Sequence, residues 1–357
     1  MDADRWEVGG EFGSESPDTG ECEPWASNHV RFALAQHALI AIWRSLSASQ
    51  PVVWVPNYFC SPVVEVLSSA GAAIRTYADD PRWSRPRWNT LTARAGDFVL
   101  AVNYFGVRDG TAWREWQAAH RGVVLIEDHT HDPVSAWARS STADYAVASL
   151  RKTLPIPDGA LAWSPAGHAL PAQPLGTDWR GSSLKLKAMA LKQIYLSGGD
   201  SPREGYLRLQ REGEAALLAT SDLRMSPWTE TLLGSGVPRA SRARREANVR
   251  QVLDLTKGHP DFRPLFDHWP EGHCPFNAIL VFRDAETRDA VRTRLLQNRI
   301  FPAVHWESSS ADPRIDELSR RILTVPVDQR YGSEDVGRVA SWLTGNAIAP
   351  VAAPSRS

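Results

Sequence analysis

Short, strongly apolar runs alternate with longer amphipathic stretches through the first half of the chain. PVVWVP (51–56), AAIRTYA (72–78), DFVLAVNYFG (97–106), VVLIED (123–128), TADYAVASL (142–150) and ALAWS (160–164) predict strands. Runs this apolar suit strands covered on both faces, as in a parallel sheet. Between them, SPVVEVLSSAG (61–71) and TAWREWQAAHRG (111–122) predict helices, each stopped by a glycine. HVRFALAQHALIAIWRSLS (29–47), apolar and free of Pro and Gly, predicts one buried helix. Alternation at this pace makes βαβ units, hence an α/β fold with a mostly parallel sheet.

Beyond residue 180 the pattern changes. Residues 181–220 and 241–257 read as long charged helices, 275–283 as a strand, 286–299 as an amphipathic helix and 322–327 as another strand. Residues 333–343 close the chain as a helix with Ser333 at its N-cap and Asp335 in its first turn. The expected organisation is a flexible acidic arm (1–26), touching the rest near Trp6 and Phe12. A large α/β domain (27–235), a small α+β domain (236–346) and a disordered tail (347–357) follow.

Composition narrows the partners. Forty Lys and Arg against 41 Asp and Glu leave a net charge of −1, so no single-sign field recruits nucleic acid or a membrane surface. No run approaches 18 apolar residues, and the acidic start lacks the basic and apolar regions of a secretory signal. Cys22, Cys60 and Cys274 form no C-x-x-C pair, which favours a reducing compartment, and the expected location is the cytoplasm. Small molecules or proteins are the expected partners. Among 15 tryptophans, Trp43, Trp137 and Trp269 read as core, Cys60 as a small buried filler, and the run SRARRE (241–246) as a solvated helix start.

In open α/β sheets ligands bind beyond the carboxyl ends of the strands. Two such ends carry chemistry here. IEDHTHDP (126–133) places Asp128 at the end of one buried run. ASLRKTLPIPDGALAW (148–163) places Ser149 and Lys152 just after the next, with Gly159 in the bend that follows. A lysine for a Schiff base, a carboxylate against a ring nitrogen and donors for a phosphate are what pyridoxal phosphate requires. A metal site built from Asp128, His129, His131 and Asp132 is the rival of another class. It lacks a second ligand cluster and leaves Lys152 without a role.

With these residues in place, the chain resembles the DegT/DnrJ/EryC1/StrS aminotransferases of pyridoxal-phosphate fold type I. Ile126, Glu127, Asp128 and His131 resemble the family's IED-x-x-(Q/H) strand end; Ser149, Lys152 and Gly159 resemble its S-x-x-K segment and glycine bend. VPNYFC (55–60), VNYFG (102–106), EVGGEF (7–12), RREANVRQVLDL (244–255) and ILTVPVDQRYGSEDVGRV (322–339) follow in the family's order. The resemblance implies a large sheet domain plus a small C-terminal domain, a homodimer, and transfer of an amino group from an amino-acid donor to a carbonyl acceptor. Lys152 would then form the Schiff base and shuttle the proton, Asp128 hold the ring nitrogen protonated, His131 meet the ring 3-oxygen and Ser149 the phosphate. Tyr58 or Phe59 would stack on the ring, and His305 and Trp306 would face substrate.

Two segments depart from the family. Leu34, Ala35 and Gln36 stand where Ser-Gly-Thr or Ser-Gly-Arg caps the phosphate, so Ala35 and Gln36 would have to do so from a helix N-terminus without glycine. The G-x-N-x-R segment through which the second subunit contributes is absent from 165–200. A lyase, racemase or substitution enzyme on an amino-acid substrate, or a cofactor-less binding relative, stand as alternatives.

Overall fold

The structure, a computed structural model, describes residues 5–15, 20–46, 51–220, 222–306 and 312–345; the tail expected over 347–357 lies outside them. Seven strands form the main sheet. Their spatial order is His29–Phe32, Ala160–Trp163, Tyr145–Ser149, Val124–Asp128, Phe98–Val102, Val52–Pro56 and Ala73–Tyr77. Ala160–Trp163 runs antiparallel to both neighbours, and the other adjacent pairs are parallel. Every residue of Phe98–Val102 and Tyr145–Ser149 is buried, the burial that a continuous apolar run encodes.

Period-two alternation divides these strands between two cores. Val53, Val55, Leu100, Val102 and Ile126 pack with the helices Ala35–Leu46 and Ser61–Ser69 on one face. Trp54, Val99, Ala101 and Leu125 pack with Trp113, Trp116 and Trp137 on the other. Trp43 and Trp137 are buried as expected, while Trp269 is partly buried.

The single helix expected over 29–47 is instead two elements. His29–Phe32 pairs with Ala160–Trp163, and the helix begins at Ala35. An apolar run reads equally as strand or helix, and here the pairing partner more than a hundred residues away decides for the first four residues. The run at 97–106 likewise stops as a strand at Val102, because Tyr104–Gly106 turn tightly with Phe105 and Gly106 both at positive φ. Gly106 is obligatory there, since a Cβ would sit 2.5 Å from the Cys274 carbonyl oxygen. The long pattern at 181–220 resolves into the helices Arg180–Leu196 and Arg203–Leu218.

A smaller antiparallel sheet orders Phe262–Pro264, Ala278–Phe282 and Ile322–Val325. The helices Arg239–Leu255, Ala285–Gln297 and Ser333–Thr344 accompany it. The last of these is capped by Gly332, whose N–H donates to Asp335 Oδ2, so Ser333 is its first residue rather than its cap. The Arg-rich start of Arg239–Leu255 is only partly solvated: Arg239 and Arg244 are exposed, but two of its arginines turn inward. Arg242 pairs with Asp132, and buried Arg245 donates to the Thr153 carbonyl and to Gln329.

The N-terminal arm joins both parts. Val8–Gly9 pairs with Ile300–Phe301, and Trp6 donates to Asp335. The Gly9 N–H donates to Tyr331 Oη, while Lys192 and Arg330 donate to carbonyls of Gly9, Gly10 and Glu11. Phe12 lies under the Arg330 guanidinium, 4.2 Å from ring centre to Cζ.

Two glycine substitutions separate packing from propensity. At Gly110 a Cβ would fall 2.2 Å from Trp137 Cδ1, so Gly110→Ala is expected to lower the urea-unfolding free energy by about 1–3 kcal/mol. Gly337 lies within the helix Ser333–Thr344 with nothing within 4 Å of its Cβ position, so Gly337→Ala is expected to raise it by roughly 0.5–1 kcal/mol.

Candidate active site

The ladder register sets the site. Asp128 pairs with Val147, and Ser149 ends the same neighbouring strand two residues later. A single tight turn over Leu150–Lys152 then carries the lysine back over the strand ends. Lys152, Asp128, Ser149 and His131 therefore line one cavity of about 290 Å³. Phe59, Ala35, Gln36, His305 and Trp306 line it too. Lys152 and His305 also line an adjoining lobe of about 330 Å³, walled by the N-terminal arm and the small sheet.

Of the expected ring-stacking aromatics, Phe59 faces the cavity. Tyr58 does not: it is fully buried behind, donating its hydroxyl to the His305 carbonyl and packing edge-on to Tyr104 and Trp306. Cys60, expected as a buried filler, is partly exposed and lines the cavity beside Phe59.

Each ionisable group is shaped by its surroundings. Burial, and then the neighbouring Arg151 guanidinium, lower the pKa of Lys152. Burial raises that of Asp128, opposed by hydrogen bonds from Thr130, whose N–H donates to Asp128 Oδ1 at 2.8 Å. Thr130 Oγ1 in turn accepts from the Ser149 N–H at 3.1 Å, tying the two strand ends together. His131 Nδ1 accepts from the Phe105 N–H at 3.1 Å, so its proton sits on Nε2. Its ring lies between those of Phe105 and Phe276, and burial holds it neutral, with a pKa well below the ordinary value. Phe105 itself stands in the left-handed region of the backbone.

Behind the site lies a closed polar layer. His129 Nε2 meets Glu127 Oε2 at 2.9 Å, and the Trp137 indole donates to Glu127 Oε1 at 2.8 Å. Asp79 and Arg108 form a buried bidentate pair beneath Tyr104. His129 and His131 thus serve different partners, and the geometry does not converge them on one ion.

Three further contributors lie outside the residues that sequence reasoning picked out. Thr130 links Asp128 to Ser149. Arg151, next to the lysine, lines both lobes and forms a two-point ion pair with Glu214 from the helix Arg203–Leu218. Glu214 is bound also by Lys185 at 2.7 Å, and the two cations hold its carboxyl far below the usual carboxylate range. Adjacency to Lys152 could have flagged Arg151; nothing local marks Glu214.

No family model matches the chain, and no curated protein matches it in sequence. Solved structures do. Helicobacter pylori PseC, an aminotransferase involved in the biosynthesis of pseudoaminic acid, superposes with a TM-score of 0.63 at 12% identity, over 95% of this chain and 98% of that one. The PLP form of Spr1654 from Streptococcus pneumoniae gives 0.61 at 14%, over 95% and 98%. DesV from S. venezuelae gives 0.58 at 15%, over 92% and 87%. The fold is that of the pyridoxal-phosphate fold type I aminotransferases, a large mixed sheet with helices plus a small C-terminal α+β part.

The buried imidazoles make stability acid-sensitive. Burial lowers the pKa of His37, fully enclosed in the first helical turn behind Gln36, from 6.5 to about 4, and that of His305 to about 3. A histidine with a depressed folded pKa leaves stability intact above its unfolded pKa, and protonation of the unfolded chain erodes it below. Stability is expected to fall as pH drops from about 6.5 to 4, by about 3 kcal/mol from His37 alone. Urea titrations of wild type and His37→Gln across that window should show a shallower loss in the variant.

Proposed function

We propose that this chain is a pyridoxal-phosphate-dependent aminotransferase that moves an amino group from an amino-acid donor to a carbonyl on a small biosynthetic intermediate. The observation that carries this reading is the meeting of Lys152 and Asp128, from the ends of adjacent parallel strands, in one cavity facing the N-terminus of the helix Ala35–Leu46. The fit to the cofactor rests also on Gln36. Its side chain is nine-tenths buried, lines the cavity and has no hydrogen-bond partner among the described residues. When bound, pyridoxal phosphate supplies the electron sink that makes the donor's Cα–H bond labile.

The chain's own groups would do the rest. Lys152 Nζ, its basicity lowered by burial and by Arg151, would hold the cofactor covalently and then carry a proton as a base near neutrality. Asp128, ordered by Thr130, would keep the ring nitrogen protonated, and a cation beside it would offset the burial that raises its pKa. His131, neutral with hydrogen on Nε2, would donate to the ring 3-oxygen. Ser149, Ala35 and Gln36 would face the phosphate, Phe59 the ring. His305, its Nδ1 at 2.8 Å from Thr324 Oγ1, would face substrate in the adjoining lobe, and Trp306 would face it from the wall of the main cavity. There Asn277 Oδ1 accepts from the Val327 N–H, which leaves its amide hydrogens for the substrate.

We further propose a homodimer working in the cytoplasm. The half-exposed Leu218 at the cavity wall supports the dimer, and three free thiols support the compartment. No helix among the described residues is long and apolar enough to cross a membrane.

Purified wild type mixed with pyridoxal phosphate is expected to develop a pH-dependent visible absorption band that Lys152→Ala lacks. An amino donor should then bleach the band and release the matching 2-oxo acid. A band without oxo-acid formation would point to lyase, racemase or substitution chemistry, and no band in wild type would overturn the cofactor reading.

A further inference from the structure

This inference rests on the reading of the cavity as a pyridoxal-phosphate site and concerns the end that takes the phosphate. We propose that Arg151, held in place by Glu214, is the cationic anchor of the cofactor phosphate, acting with Gln36 and the N-terminus of the helix Ala35–Leu46 in place of a glycine-built backbone cradle.

Position, charge and donor capacity each support it. Leu34, Ala35 and Gln36 mark the helix N-terminus in the cavity wall. Leu34 packs on Leu217, and Glu214 and Leu218 of the same helix line the same wall, so the Arg151–Glu214 pair stands at this end. Among the described residues, Lys152 and Arg151 are the cations that line the cavity. Lys152 would be taken up by the aldehyde carbon of the cofactor, which leaves the Arg151 guanidinium to face a phosphate dianion.

Glu214 does not cancel that charge. It is shared between Arg151 and Lys185, so the three groups together keep a net positive charge. Glu11, the second partner of Lys185, is 42% exposed and screened by water. Arg151 spends one N–H of each terminal nitrogen on Glu214, and a guanidinium has a second on each. With the end of the fork held by Glu214, the Nε–H, which has no partner among the described residues, and the second Nη2–H form the side edge through which a guanidinium grips a phosphate at two points. The Cβ atoms of Ala35 and Gln36 keep the helix amides from wrapping a phosphate as glycine would, so longer side-chain donors must close the distance.

Comparing pyridoxal phosphate with pyridoxal, which lacks the phosphate, isolates this end of the site. Apo protein is titrated with each aldehyde and the visible band gives both dissociation constants. Wild type should prefer the phosphorylated form strongly. Arg151→Met should cut that preference, the ratio of the two dissociation constants, by about 10- to 100-fold, while any change in Lys152 basicity moves both constants alike and leaves the ratio untouched. The double variant Arg151→Met/Glu214→Met removes both charges, so no buried carboxylate is left alone, and should show the same reduced preference. An undiminished preference in either variant overturns the assignment of Arg151. Wild type forming no band with either aldehyde overturns the cofactor reading, and this inference with it.

Discussion

The hydrogen-bonded ladder between Val124–Asp128 and Tyr145–Ser149 is the constraint on which the rest of the site depends. It sets Asp128 opposite Val147, and it brings the chain past Ser149 into a turn too short to place Lys152 anywhere but over the neighbouring strand end. Because both strands are buried on both faces, a slip by one residue would send every apolar side chain to the wrong core. The cores therefore guard the spacing of lysine and carboxylate, although they contain neither.

A second layer converts that spacing into chemistry. Glu127, on the opposite face from Asp128, has its carboxyl oxygens met by the Trp137 indole and by His129, so the buried strand end carries no unpartnered polar group there. The Phe105 N–H, offered from a tight turn with left-handed backbone, is donated to His131 and so fixes its tautomer. Arg330 extends the same logic to the other wall. Paired with Asp328, it still reaches the carbonyls of Gly10 and Glu11, and it holds the N-terminal arm against the lobe in which substrate is proposed to sit.

Much of this was legible in the chain because fully buried strands are written as continuous apolar runs, with the chemistry placed just after them. Asp128, His131, Ser149 and Lys152 were found that way, and the cavity brings them together. The misses share a cause. His29–Phe32 looks like the start of a helix until the strand at Ala160–Trp163 claims it. Arg242 and Arg245 look like surface charge until Asp132, Gln329 and the Thr153 carbonyl receive them. Glu214 sits 63 residues from Arg151 on an ordinary charged helix. Tyr58 and Phe59 are neighbours of like chemistry, separable only by which face of the turn meets the cavity. Tertiary pairing decides each case, and no local pattern encodes it.

The most direct test of the account is to find which lysine the cofactor joins. The chain has five: Lys152, Lys185, Lys187, Lys192 and Lys257. The protein, incubated with pyridoxal phosphate and reduced with borohydride, is digested and mapped by mass spectrometry. The reduced adduct is expected on the peptide carrying Lys152, at close to one per chain. An adduct on Lys185 or Lys192, or none above the level of the exposed lysines, would contradict it.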